Sequence, residues 1–117
     1  MQVYNWAVLE PEDGKFDWYW LDKNLTAMAN AKVQANPIIF IHKGQKINGA
    51  VTTPKWLFKV SPGIKYTHTP KKRPVFEAPN YLDPVFQDKF SKLIYAFANH
   101  LNELPDYVKE NIWGVQL

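Results

Sequence analysis

Residues Ile38-Ile39-Phe40-Ile41 form an unbroken apolar run, closing a segment that begins at Val33 and stops at His42-Lys43-Gly44. A run without polar alternation marks a strand buried on both faces, as in parallel sheets covered by helices. Pro37 stands at its head and places that end near a sheet edge or bulge, because proline brings no N–H to the ladder. Parallel strands need long crossovers, and the preceding residues supply one. Asp17 is placed as an N-cap before Trp18, Leu21, Leu25 and Met28 at three- and four-residue spacing. That spacing predicts a helix over about Trp18–Asn30, with Asn30 in a left-handed C-cap. Before it, Gln2–Leu9 is mostly apolar and aromatic and ends at Glu10-Pro11-Glu12-Asp13-Gly14, a short strand followed by a turn.

The same alternation continues beyond His42. Asp83-Pro84 opens the clearest helix, with Phe86, Phe90, Leu93, Ile94, Phe97 and Leu101 in one stripe and Gln87, Asp88, Lys92 and Asn99 away from it. Pro105 stops it. A helical turn is expected over Asp106–Glu110, then a third buried strand over Ile112–Leu117. Between Gly44 and Asp83 lies a long irregular region with one short helix, Pro54–Phe58, capped by Thr53. With Pro62, Pro70, Pro74 and Pro79 the rest is expected to hold little regular structure, and so long a loop in a compact domain is functional or mobile. The order is strand, helix, strand, long loop, helix, strand: an α/β chain of parallel strands and crossover helices. At 117 residues it is one domain, and a chain that closes on an apolar strand in mid-pattern is expected to be part of a larger unit.

Composition removes several classes of function. There is no cysteine, which excludes a disulfide scaffold, a Cys-ligated zinc site, an iron–sulfur cluster and a thiol nucleophile. His42, His68 and His100 do not form a spaced metal cluster, and neither a phosphate-binding G-x-x-x-x-G-K-[ST] loop nor a Ser–His–Asp set is suggested. No metal or cofactor is expected. No apolar run approaches the roughly 20 residues that span a bilayer, so no membrane partner is expected. The first residues lack a basic leader region, which leaves the compartment open, secreted or periplasmic if an upstream segment carries a leader. Of the net charge of +3, Lys65, Lys71, Lys72 and Arg73 sit in one Pro-rich stretch and the rest is scattered among acids. A nucleic-acid binder shows a basic stripe along one element, so no nucleic-acid partner is expected. The chain is 15% aromatic and includes Trp6, Trp18, Trp20, Trp56 and Trp113, more indoles than a small core requires. Carbohydrate sites use such rings as stacking platforms; the plainer reading makes most of them core aromatics.

In an α/β sheet or barrel, ligands sit beyond the carboxyl ends of the strands. Those ends here are Trp6–Glu10 and His42–Gly44. Trp6-Ala-Val-Leu-Glu10-Pro-Glu-Asp-Gly14-Lys-Phe-Asp17-Trp18 resembles the W-x-x-L-E-P-x-x-G-x-[FY]-[DN]-[FW] signature of retaining glycoside hydrolases with a (β/α)8 barrel, in the segment after the second barrel strand of bacterial β-galactosidases and β-agarase/porphyranase-type enzymes. Leu21-Asp22 continues the pattern. Thr53-Pro54-Lys-Trp56-Leu57 looks like their P-x-W-L loop after strand three, and Asp83-Pro84-Val-Phe86 like the D-P-x-[FY] opening of their third helix. Trp113-Gly114-Val115-Gln116-Leu117 is similar to the strand that leads to the acid/base glutamate.

The resemblance implies a partial (β/α)8 (TIM) barrel: residues 1–117 as a segment of one catalytic barrel, covering about strands two to four. It implies a carbohydrate substrate of galactose type, cleaved by retaining double displacement without cofactor or metal. The acid/base and nucleophile glutamates of the family would both lie past Leu117, so no residue of this chain is assigned a catalytic role and the chain alone is expected to be inactive. The substrate-side candidates are Trp6, Glu10, His42 and Trp56. Glu10 belongs to the turn of the motif, where it either fixes the loop through backbone hydrogen bonds or touches sugar directly. His42 either hydrogen-bonds ring hydroxyls or bonds to loop backbone. Trp56 is a stacking platform or a helix anchor. The expected partner besides substrate is the remaining half of the barrel, or another copy through self-association. The rival reading is a small non-catalytic α/β carbohydrate-binding or interaction domain.

Overall fold

The structure, a computed structural model, describes residues 2–41, 46–47, 50–66 and 76–116. The chain opens with strand β1 (Gln2–Asn5), runs directly into a single helical turn α1 (Trp6–Leu9), then helix α2 (Tyr19–Asn30) and strand β2 (Pro37–Phe40). β1 and β2 are parallel, with Gln2 opposite Pro37 and Asn5 opposite Phe40. On the other side of β2, parallel bridges join Ala35 to Ile112 and Ile38 to Gln116. Three parallel neighbours therefore stand in the order β1, β2, C-terminal segment, as the alternation of apolar runs predicts. This is an α/β arrangement with parallel strands; no closed barrel is formed among the described residues.

Local chemistry accounts for the helices. In α2, Leu21 and Leu25 lie one turn apart on the buried face, and the Asp17 carboxylate accepts the Tyr19 backbone N–H at 3.0 Å. A third helix, α3 (Lys55–Val60), precedes the long helix α4 (Pro84–Asn102). α4 begins on Asp83, whose side chain accepts from the Val85 N–H, with Pro84 in the first turn where no amide hydrogen is needed. Its Phe86, Leu93 and Phe97 are buried, and Phe90, Ile94 and Leu101 pack beside them. A 2.6 Å hydrogen bond from the Ser61 hydroxyl to Asp83 ties the end of α3 to the start of α4. A last turn, α5 (Asp106–Lys109), brings Val108 into the core. The centre of that core is Tyr4 and Ile39, opposite each other on β1 and β2, together with Trp6, Leu9, Leu21, Leu25, Leu57, Leu93 and Phe97.

Several expectations are corrected. The first strand ends at Asn5, because one helical turn puts both Trp6 and Leu9 into the core. β2 is shorter than the Val33–Ile41 segment, and Pro37 is its first residue, not an edge or bulge; the Pro37 carbonyl accepts from the Gln116 N–H on the far side. The sheet is not buried on both faces: burial alternates along β2, and Val3 of β1 is exposed. The C-terminal segment is an exposed edge, not a third buried strand, with Trp113 at 69% exposure. The left-handed residue after α2 is Lys32, not Asn30. Thr53 does not cap α3; its hydroxyl donates to the Ile41 carbonyl, and Pro54 precedes the helix.

The long region holds more pairing than expected. Strands β3 (Lys46–Ile47) and β4 (Ala50–Val51) pair antiparallel, as do β5 (Ile64–Tyr66) and β6 (Phe76–Ala78). These strands are too short to show a period, and Pro62 and Pro79 bracket the second pair without interrupting it.

Candidate functional site

Parallel β1 and β2 point their carboxyl ends the same way, so the segments leaving the two strands meet at one end of the sheet. After β1 comes α1; after β2 come Ile41 and, past β3 and β4, Thr52 and Thr53. The Thr53 hydroxyl lies 3.4 Å from the Ile41 carbonyl, and the Ala7 N–H donates to the Thr52 carbonyl at 3.1 Å. The two loops are thereby hydrogen-bonded at the end of the sheet.

Glu10 is the joint between them. It comes directly after α1, its N–H donating to the Trp6 carbonyl at 2.9 Å, and it is only 2% exposed. One carboxylate oxygen accepts the Trp6 indole N–H at 2.9 Å, and the other accepts the Gly14 backbone N–H at 2.8 Å. The Glu10 carbonyl accepts the Trp56 indole N–H at 2.8 Å, from α3 of the second loop. Gly14 reaches its bond with φ +78°, a backbone conformation that side chains disfavour. Asp17 N–H to the Leu9 carbonyl, at 2.8 Å, closes the loop. Lys89 of α4 clamps it from outside through Asp13 at 3.0 Å.

Aromatic rings enclose this joint. Trp6 is wholly buried and meets Trp56, Phe86 and Phe90 at centroid distances of 6.0, 5.9 and 6.0 Å, the first two edge to face. Burial pushes the Glu10 carboxyl above its ordinary range, and the Trp6 and Gly14 donors pull it only partly back; Asp13 adds to the rise and Lys89 opposes it.

Of the candidates read from sequence, Trp6, Glu10 and Trp56 come together, and His42 lies outside the described residues. Trp6 turns into the core and has no face open to a ligand in this chain. Glu10 fixes its loop by backbone hydrogen bonds. Trp56 is half-buried, anchored by its N–H. His100 stands elsewhere, on α4, stacked on Trp18 at 4.8 Å with its Nε2 2.5 Å from Asp22 of α2. Sequence reasoning missed Lys89 and Thr52. Lys89 lies 76 residues from Asp13, and nothing in local spacing signals such a pair. Among the described residues, no three His, Asp or Glu side chains are grouped to hold a metal ion.

Parallel strands with neighbouring loops joined at their carboxyl ends define an α/β chain of the kind that places ligands there. The chain belongs to the beta-galactosidase family of glycoside hydrolases (family 42), whose sequence profile matches residues 1–112. It is similar to the beta-galactosidase Bga of Halorubrum lacusprofundi, at 34% identity over 65 residues. That alignment takes in 56% of this chain and 8% of the relative's length.

Proposed function

We propose that this chain forms part of a glycoside hydrolase barrel, (β/α)8 in architecture, that cleaves galactose-type oligo- or polysaccharides. The observation that carries the reading is the joined pair of loops at the carboxyl ends of two parallel strands, within a stretch matched by the beta-galactosidase family. In a (β/α)8 barrel that end is the mouth, and residues on its loops meet substrate. His42, which comes after β2 in sequence, and the loop carrying Trp56 are the sugar-facing contacts. Trp6 and Glu10 hold the loop after β1 and the loop of Trp56 in place.

The chemistry is retaining double displacement. It needs two carboxyl groups about 5–5.5 Å apart, one protonated to release the leaving group and one ionised to attack the anomeric carbon. Glu10 is unsuited to either task, because both its oxygens are already held by N–H donors and its side chain is enclosed. The catalytic glutamates belong to barrel strands other than β1 and β2. Positioned acid/base groups typically contribute about 10²–10⁴-fold. The 117-residue chain is therefore expected to show no turnover of a nitrophenyl β-galactoside. A longer polypeptide carrying this sequence and the two glutamates is expected to hydrolyse it with retention. Hydrolysis by the 117-residue chain itself would overturn the assignment.

A further inference from the structure

The hydrogen bonds around Glu10 do more than satisfy a buried acid. We propose that Glu10 is a positioning residue: its ionised side chain fixes the loop after β1, and its carbonyl passes that position to Trp56, so the loops after two neighbouring strands move as one body.

The chemistry requires a carboxylate. The two side-chain oxygens serve two different N–H donors, the Trp6 indole and the Gly14 amide. An ionised carboxylate is acceptor-only, so both oxygens can accept. An amide presents one acceptor oxygen and one NH2 donor, so one N–H would then face a donor; a protonated acid accepts more weakly at its hydroxyl oxygen and adds a proton that has to find its own acceptor. The indole donor has no room to turn away, and the amide donor belongs to an exposed turn that the bond itself pins. Trp6 is packed against three aromatic rings, and Gly14 is held by a turn of positive φ. The Glu10 backbone, which those two bonds orient, carries the carbonyl that receives Trp56. Trp56 sits in the first turn of α3, whose Leu57 is buried in the core, so displacement of the carbonyl is transmitted to that helix.

Among the described residues, the charges that face this carboxylate are few. Asp13 of the same loop and Lys89 of α4 act on it with opposite signs and are themselves paired. α1 brings no charge, and Lys55 and Lys59 of α3 are exposed. Titration of the joint is thus dominated by Glu10 itself, in an enclosed site where the neutral form is favoured by burial.

The significance for sugar binding rests on the function proposed above; the coupling of the two loops does not. The test monitors the indole N–H signals of Trp6 and Trp56, the Gly14 amide and the α3 amides by NMR on the full chain. The titration runs from about pH 8 to about pH 4, bracketing the carboxylate range. All are expected to shift with one midpoint, above the usual Glu value of about 4.3. E10Q is expected to abolish the shared transition while far-UV circular dichroism stays native. W56F, which removes one donor only, is expected to keep the Trp6 and Gly14 transition and to lose it in α3. Separate midpoints for the two loops, or a transition in α3 that survives W56F, would overturn the proposal even if E10Q fails to fold. In the longer polypeptide, W56F is expected to lower kcat/KM on the order of tenfold or more, the scale of a loop misplaced by less than an ångström or so. Coupled NMR transitions with no glycosidase activity in that polypeptide would leave the joint standing and remove the sugar.

Discussion

Trp6 and Trp113 each lie beside a parallel strand at the same sheet, yet one is fully buried and the other is 69% exposed. Around Trp6 the chain supplies everything a buried indole needs: three ring neighbours, an acceptor on Glu10 and a covering helix, α4. Around Trp113 the described residues supply backbone bonds, Trp113 N–H to the Ala35 carbonyl and Gln116 N–H to that of Pro37. Val115, nearby, lines an apolar groove of about 170 Å³ with Ile94, Phe97, Ala98 and Leu101. The difference separates two uses of apolar sequence. The Trp6 corner is finished within this chain, whereas the C-terminal edge is paired through its backbone and left open through its side chains. Open apolar edges invite association.

Truncating the finished corner is expected to cost most. Trp6→Ala removes a buried indole and its ring contacts, and a loss of about 3–5 kcal/mol is expected in urea unfolding. Glu10→Ala strands the buried Trp6 indole donor and releases the exposed Gly14 turn, and should cost about 1–3 kcal/mol by the same measurement. The pH dependence of that residue has a definite sign. Because burial raises the carboxyl above its unfolded value, the folded chain binds that proton more tightly. Its contribution to stability is complete below the unfolded value and is lost as pH rises through the folded one, so the ionised form that orders the joint is held at a net cost in stability. Unfolding midpoints measured against pH should show that decline in the native chain and a flatter profile in E10Q.

The staple between α2 and α4 offers an intermediate case. His100→Ala removes one ring of the stack on Trp18 and the contact to Asp22, for an expected loss of about 1 kcal/mol. Being remote from Glu10, it should leave substrate use in the longer polypeptide nearly unchanged, unlike Trp56→Ala or His42→Ala. Equal losses at all three would mean that packing has been mistaken for a site. Trp113→Ser should have the smallest effect on monomer stability, within about 0.5 kcal/mol. Its expected effect is on sedimentation, where the native chain should self-associate and the variant less so. A monodisperse native chain would remove the contrast between the two regions.

What sequence disclosed runs along the same divide. The α4 stripe from Phe86 to Leu101 and the Asp83-Pro84 start were legible because helical period and capping are local. The parallel order of β1, β2 and the C-terminal segment was legible from the alternation of elements. The turn α1 was not: a single turn of Trp-Ala-Val-Leu has the composition of a strand, and only the position of the core decides. At the site, the motif marked Trp6, Glu10 and Trp56, but their roles depend on contacts across 46 residues between Glu10 and Trp56. The Asp13–Lys89 and Asp22–His100 pairs likewise join distant elements, and no spacing rule reaches that far.

The central claim is that the corner around Glu10 is a closed part of the fold and the C-terminal edge an open one. Hydrogen exchange of the five tryptophan indole N–H groups, read by NMR on the full chain, tests it directly. The Trp6 and Trp56 indoles, both bonded to Glu10, should exchange only through global unfolding, while those of Trp20 and Trp113 exchange at nearly solvent rates. Trp6 exchanging as fast as Trp113 would contradict the claim.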